Sequence, residues 1–340
     1  MFYICSKCKR RWQYPLAECP HCLVALEKME SKTAKVAGAV KVAIPTLFHP
    51  NVPYHVLLLE DENGNLWGHK SEREYKAGDI IDFEPNPEAV AIWRVKFDVA
   101  EAINKTLELI GSIKIGQNSK IAVLPTLVKP SHAYFRDNTS PEFLAAVLEV
   151  LLAKGAKKEN IIVAGQSFDD MPAAAIAQKS GLLDACQKFG ILPRDLSAGE
   201  FEKTNKFEIA KDILGADLIV NLAMEKIGQA GAAANLLRIL KKENYLGQKY
   251  LSSEAQIIAE LAPILKEKLV VIGEAENVQR SNKLTCFAGL VLASKSPVDV
   301  DRVFNEIAQS FKMPETIKNA ELPRVVGRSI REVQYQAEIF

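Results

Sequence analysis

The sequence predicts a multidomain protein: an N-terminal zinc ribbon, a small OB-like β-barrel, then an α/β domain with a mainly parallel sheet. Three observations carry this prediction. Two CxxC pairs stand near the start, short β-rich runs broken by turn signals follow, and from Phe97 onward helical periodicity alternates with apolar runs. The expected domains are residues 1–30, 35–96 and 97–340. A chain of 340 residues exceeds one comfortable core, and 48% apolar with 25% charged residues is the balance of a globular protein. A formal net charge of +1 gives no global field toward nucleic acid or acidic membranes. Met1 runs within a few residues into the first CxxC, so no signal peptide is read. No apolar run reaches the roughly 18 residues of a membrane span. A cytoplasmic protein without membrane contact is expected.

The ribbon comes first. Cys5, Cys8, Cys19 and Cys22 form CxxC, ten residues, CxxC. A two-residue spacer lets one tight turn aim two sulfurs at one cation, and two such knuckles complete a tetrahedral shell. Thiolates are soft ligands, so the expected cofactor is structural zinc, with iron as the competitor in the same four-cysteine site. His21 sits inside the second knuckle as an exposed neighbour, because four cysteines fill the shell. Lys7, Lys9, Arg10 and Arg11 read as a solvated face or as phosphate contacts. Cys186 and Cys286 are isolated and read as buried apolar thiols.

The barrel strands are expected at Val36–Ile44, Tyr54–Glu60, Asn65–His69, Asp79–Glu84 and Val90–Val95. Glu62-Asn63-Gly64-Asn65 is a hairpin turn in which Gly64 supplies positive φ. Tyr54, Trp67, Tyr75, Phe83 and Trp93 form either a core or a stacking face for bases. The stretches YICSKCKRRWQYPLAECPHC, VPYHVLLLEDENGNLWGHKS and YKAGDIIDF together resemble the family called domain of unknown function 35, over about the first 95 residues. That resemblance implies a zinc ribbon paired with an OB-fold, and association with acyl-CoA enzymes such as thiolases.

The α/β region opens with Val99, Ile103, Leu107 and Ile110 at helical spacing. Lys120–Val128 is a strand. Ser140-Pro141 starts a helix to Lys154 with a capping residue and a first-turn proline. Asn160–Ala164 is the next strand, Pro172–Lys179 a helix, Leu218–Met224 a strand and Ala232–Lys242 a helix. Leu269–Ile272 and Gly289–Ala293 are strand-like. Alternation of this kind implies parallel strands covered by helices, with ligands outside the carboxyl strand ends. Three loops qualify. The first carries Lys129, His132, Arg136, Asp137 and Asn138. The second carries Ser167, Asp169 and Asp170, and the third carries Lys226 with Gly228 and Gly231. Lys129, Arg136, Ser167 and Lys226 are candidates to bind an anion. Asp137, Asp169, Asp170 and His132 are the candidates for acid–base work, the three aspartates also for a hard metal. For Asp170 a helix-capping role competes. The two glycines permit either a phosphate cradle at a helix start or close packing.

Several stretches in order, SKIAVLPTLV, TSPEFLAAVLEVLLAKGAKKENIIVAGQS, ADLIVNLAMEK, NLLRIL, KLVVIGEAE, GLVLASKSPVDVD and PRVVGRSIREV, resemble the family called domain of unknown function 362 across roughly 97–340. In that comparison Lys226, Asn235 and Asp301 match, which adds Asn235 to the expected ligand-binding set. Polar positions are lost at Leu124-Pro125-Thr126, Gln166, Lys226-Ile227-Gly228 and around Gly273. Their joint loss implies an altered or inactive ancestral site.

The expected function is a zinc-binding accessory or scaffold protein whose α/β domain binds a small anionic ligand or a partner protein. A protein partner is expected through the ribbon and OB module. The alternatives are an enzyme acting on an acyl-CoA or phosphorylated metabolite, and single-stranded nucleic-acid binding through the barrel.

Overall fold

The computed structural model describes residues 2–13, 16–29, 31–47, 52–169, 171–279, 285–310 and 313–338. The chain divides into two compact units, Met1–Glu84 and Pro85–Phe340.

The first unit holds two small antiparallel sheets. Strands β1 (Phe2–Cys5), β2 (Arg11–Trp12) and β3 (Leu26–Met29) pair in the order β2-β1-β3. Strands β4 (Thr33–Val42), β5 (Tyr54–Asp61), β6 (Leu66–Ser71) and β7 (Ile80–Asp82) pair in the order β6-β5-β4-β7. Alternation along β5 buries Leu57 and Leu59 against Ala34 and Val36, with Trp67 and Tyr75 packed on this core. Val40, Val56, Leu58 and Leu66 remain exposed. In the β5–β6 hairpin Asp61 accepts from the backbone of Asn63 and Asn65, and Gly64 adopts φ 74°. Arg11 donates to the Asn63 carbonyl and to Asn65 Oδ1, which spends that cation on tying the ribbon to the hairpin.

The fifth strand expected of the barrel lies elsewhere. Strand β8 (Val90–Arg94) belongs to the eight-stranded sheet of the second unit, antiparallel to Leu290–Ala293. Val90, Ala91 and Ile92 are fully buried, a burial on both faces that suits an inner strand of a covered sheet and not a half-exposed one. Trp93 accordingly leaves the expected aromatic set of the small unit and sits under the Arg328 guanidinium.

In the second unit the remaining strands are β9 (Ile121–Pro125), β10 (Ile161–Gly165), β11 (Arg194–Asp195), β12 (Phe201–Thr204), β13 (Phe207–Ala210), β14 (Leu218–Lys226), β15 (Leu269–Gln279), β16 (Thr285–Ser294) and β17 (Val325–Gly327). Its large sheet has the order β11-β10-β9-β14-β15-β16-β8-β17. Every neighbouring pair is parallel except those of β16, so β16 alone runs against the rest. Along β9 the side chains alternate between two apolar layers: Ile121 and Val123 face one, Ala122 and Leu124 the other. Helices α1 (Val99–Leu109) and α2 (Pro141–Ala153) pack in the first layer, where Phe143, Leu144 and Ile103 are fully buried. The second layer contains Leu236, Ile257, Leu261 and Phe304. These lie on the segments 231–237, 254–265 and 297–307.

The helix expected over Ala232–Lys242 is shorter. It ends as α3 (Gly231–Leu237), because Leu240 bridges Ile209 and Gln166 Nε2 takes the carbonyls of Arg238 and Leu240. Cys186 is buried as expected, and burial pushes its thiol up to about 11. The side chain of Cys286 lies outside the described residues. Among the described residues no helix is long and apolar enough to cross a membrane.

Candidate metal centre and strand-end crevice

The two knuckles of the ribbon have two backbone hydrogen bonds in common. Lys9 N–H donates to the Cys5 carbonyl at 2.9 Å and Leu23 N–H to the Cys19 carbonyl at 2.9 Å. Cys5 N–H donates to the Arg10 carbonyl, and Cys19 N–H to that of Val24. Each turn closes on a left-handed residue, Lys9 at φ 58° and Leu23 at φ 51°. This pairing of turns brings the four sulfurs of Cys5, Cys8, Cys19 and Cys22 within 4.8 Å of one another, an arrangement able to hold a metal ion. Hydrogen bonding to Cys8, then burial, pushes the Cys22 thiol up to about 12. Four thiolates cannot share this space without a cation among them. His21 is exposed and stacks on Trp12, in line with its expected place beside the shell.

The second site lies where the topology of the large sheet turns. From β9 the chain goes to β10 on one side and to β14 on the other, so the carboxyl ends of β9 and β14 form the switch point at which sheets of this kind seat ligands. Lys226, the last residue of β14, is largely buried there and donates to the Asp137 carbonyl at 3.2 Å. Burial pushes its pKa down; Asp137 opposes that shift, while Lys129 and Arg238 add to it. Lys129 Nζ lies 3.1 Å from Asp137 Oδ1, whose side chain is buried. Asn138 shapes the loop, accepting from Val128 N–H and donating to the Lys129 carbonyl. Arg136 occupies the left-handed region at φ 52° and reaches Glu274 at 3.5 Å. Glu274 also accepts from Ser140 N–H, and burial raises its carboxyl to about 7.

The structure thus brings Lys129, Asp137 and Lys226 together, turns Arg136 to Glu274, and separates other expected residues from them. Asn235 spends both its amide N–H groups inside the sheet, on the Leu124 carbonyl and on Asn221 Oδ1, so it ties α3 to β9 and β14. His132 is exposed and its Nδ1 accepts from Tyr134 N–H, a local cap. Ser167 donates to the Val128 carbonyl and lines a neighbouring groove of about 620 Å³ with Gln166, Met171 and Lys241. Asp169 is exposed, and its charge supports the half-buried Arg238, which stacks over Phe168. Asp170 lies outside the described residues.

The phosphate cradle considered for Gly228 and Gly231 is filled from within. Asp301 accepts from Ala232 N–H at 2.7 Å and from Ala233 N–H at 2.8 Å, while Gly228 N–H donates to Asn305 Oδ1. A Cβ on Gly231 would stand 2.5 Å from the Met224 carbonyl, so glycine there serves close packing.

Three residues escaped sequence reasoning: Arg238, Glu274 and Glu225. The available signal for the two glutamates was an acid set in an otherwise apolar strand run, Leu218–Lys226 and Leu269–Gln279. A more apolar cavity of about 350 Å³, lined by Ile258, Pro263, Val298 and Asp299 among others, lies at the carboxyl end of the reversed strand β16, away from these groups.

The family model described as Domain of unknown function (DUF362) matches residues 121–306, a span that takes in the carboxyl ends of β9 and β14. No curated protein matches the chain. Among solved structures the chain is similar to the Ltp2-ChsH2(DUF35) aldolase, with 24% identity and a TM-score of 0.20 over 24% of this chain and 68% of that one.

Proposed function

We propose, for a chain that belongs to the DUF362 family, that the second unit binds a small anionic ligand in the crevice between β9 and β14. One observation carries this reading. Lys226 is a largely buried cation with one hydrogen-bond acceptor, a carbonyl, among the described residues; the Asp137 charge supports it in part, but burial and the positive charges of Lys129 and Arg238 outweigh that support. A desolvated ammonium under such repulsion is stabilised by an incoming anion more than a solvated one would be. Lys129 and Arg238 would complete the electrostatic seat, and the groove beside Ser167 has room for the remainder of the ligand. In the first unit the metal is zinc in a structural role, because four soft thiolates leave no open position. The four ribbon cysteines and Cys186 form no disulfide, which suits a reducing compartment, the cytoplasm.

The small sheet favours a protein partner over nucleic acid. Trp67 and Tyr75 pack inward on its core, whereas the outward positions Val40, Val56, Leu58 and Leu66 offer no stacking rings. Calorimetric titration with inorganic phosphate at pH 7 tests the crevice. Binding that weakens at least tenfold in Lys226→Gln, with unchanged thermal stability, is expected. Equal affinity in both proteins would remove Lys226 from the seat and with it the reading.

A further inference from the structure

Glu225, the neighbour of Lys226 on β14, is fully buried, and apart from the facing carboxyl of Asp301 neither of its oxygens has a hydrogen-bond partner among the described residues. Its side chain fills the space a Cβ on Gly273 would need: Glu225 Oε1 is 2.9 Å from that position and Val300 Cγ1 is 3.0 Å. The facing charge is Asp301, from the helix over 297–307. Asp301 is itself buried, and its two oxygens accept the N–H groups of Ala232 and Ala233. Among the described residues the other elements around Glu225 present no titratable group to it. Strand β15 offers Gly273 and Ala275 on this face; by strand alternation Glu274 points to the opposite one, toward Ser140 and Arg136.

These two carboxyls have different environments, and that decides which keeps a proton. Burial raises the Asp301 carboxyl to about 7, but its two donated N–H groups oppose that rise and favour its anion above this pH. Glu225 receives none and lies beside that anion, so its charged form is opposed by both desolvation and repulsion; its pKa is raised well above the usual carboxylate range, first by burial and then by Asp301. The pairing of β14 with β15 shifts register between Met224 and Lys226, so the strand is irregular at the position of Glu225.

We propose that Glu225 is held as the uncharged acid and that its proton regulates the anion crevice, because loss of that proton forces the side chain away from Asp301 and moves the adjacent Lys226. This rests on the anion-binding reading for its second half only. Proton loss leaves two carboxylates in a space without solvent; Asp301 is anchored by α3, so Glu225 moves, and the irregular strand end carries Lys226 with it.

Three measurements on the full-length protein separate the parts. In infrared difference spectra between pH 6 and 10, a protonated carboxyl C=O band that titrates in the wild type and is missing in Glu225→Gln is expected; without such a band the uncharged acid is wrong. From pH 8 upward, where Glu274 and Asp301 (both near 7) have lost their protons, the folding constant of the wild type should fall by roughly tenfold per pH unit relative to Glu225→Gln until Glu225 itself ionises. Parallel curves would overturn the proposal. Sulfate, whose charge is constant over this range, then probes the coupling. Over the pH range in which the wild-type folding curve levels off, wild-type affinity should drop about tenfold more than that of Glu225→Gln, since titration of Lys226 itself affects both proteins alike. Equal drops would sink the regulation while leaving the uncharged acid standing. Absence of sulfate binding in both proteins would overturn the anion reading and the regulation, and leave the first two measurements to decide on Glu225.

Discussion

At the scale of single residues, the strongest constraints are backbone conformations and buried charges. Lys9 and Leu23 close the two knuckles in the left-handed region, where a Cβ costs energy and glycine does not. Lys9→Gly and Leu23→Gly are therefore expected to be neutral or stabilising, by up to about 1 kcal/mol each. Thermal unfolding of the metal-loaded protein checks this, and a clear loss would mean that the side chains pack. Glu274 gives a pH signature. Its carboxyl stands at about 7 in the fold, above the usual value of 4.5, so the folded state binds the proton more tightly. Its contribution is fully present below pH 4.5 and is lost as pH rises to about 7, a total of about 3 kcal/mol. Glu274→Gln should flatten that slope in denaturant titrations from pH 4.5 to 7; an unaltered slope would show that the group titrates normally. Lys226 belongs to the same scale, a common surface residue made unusual by its desolvation.

At the scale of elements, the start of α3 shows how a short helix is fixed. Its first N–H groups are satisfied by Asp301 and its glycine approaches the Met224 carbonyl. Asp301→Ala should leave two buried donors unpaired and cost about 2–4 kcal/mol. Gly231→Ala, by forcing a methyl group into backbone, should cost about 3 kcal/mol. Chemical denaturation measures both, and a change below about 0.5 kcal/mol for either would place the helix start in solvent. The loop over residues 126–140 is held differently, by polar ties at both ends: Thr139 Oγ1 donates to the Leu222 carbonyl, and Asn138 clamps Val128 and Lys129. This is why Lys129, Arg136 and Asp137 can be positioned by a segment with little regular structure.

At the scale of the whole molecule, two units with separate cores predict two separable unfolding events. Chelation at neutral pH should abolish the transition of the first unit, where a metal held by the four cysteines would cross-link the two knuckles, and leave that of the second within about 2 °C. A single cooperative transition that shifts as a whole on chelation would contradict this. The sequence by itself determined the ribbon, since four cysteines at that spacing have one economical geometry, and the α/β class, since strand and helix periods differ and apolar alternation shows both. It also pointed to the loops at the carboxyl strand ends, where Lys129 and Lys226 both reach Asp137. Tertiary structure alone decided the rest. Val90–Arg94 could join either sheet on local pattern, and burial on both faces placed it in the large one. Asn235 reads as a ligand residue from its match, yet pairs inside the sheet; Gly228 and Gly231 read as an open cradle, yet Asn305 and Asp301 fill it from more than 60 residues away. Local sequence encodes spacing and period, whereas the partner of a buried polar group comes from wherever the chain folds back, and burial makes that partner obligatory.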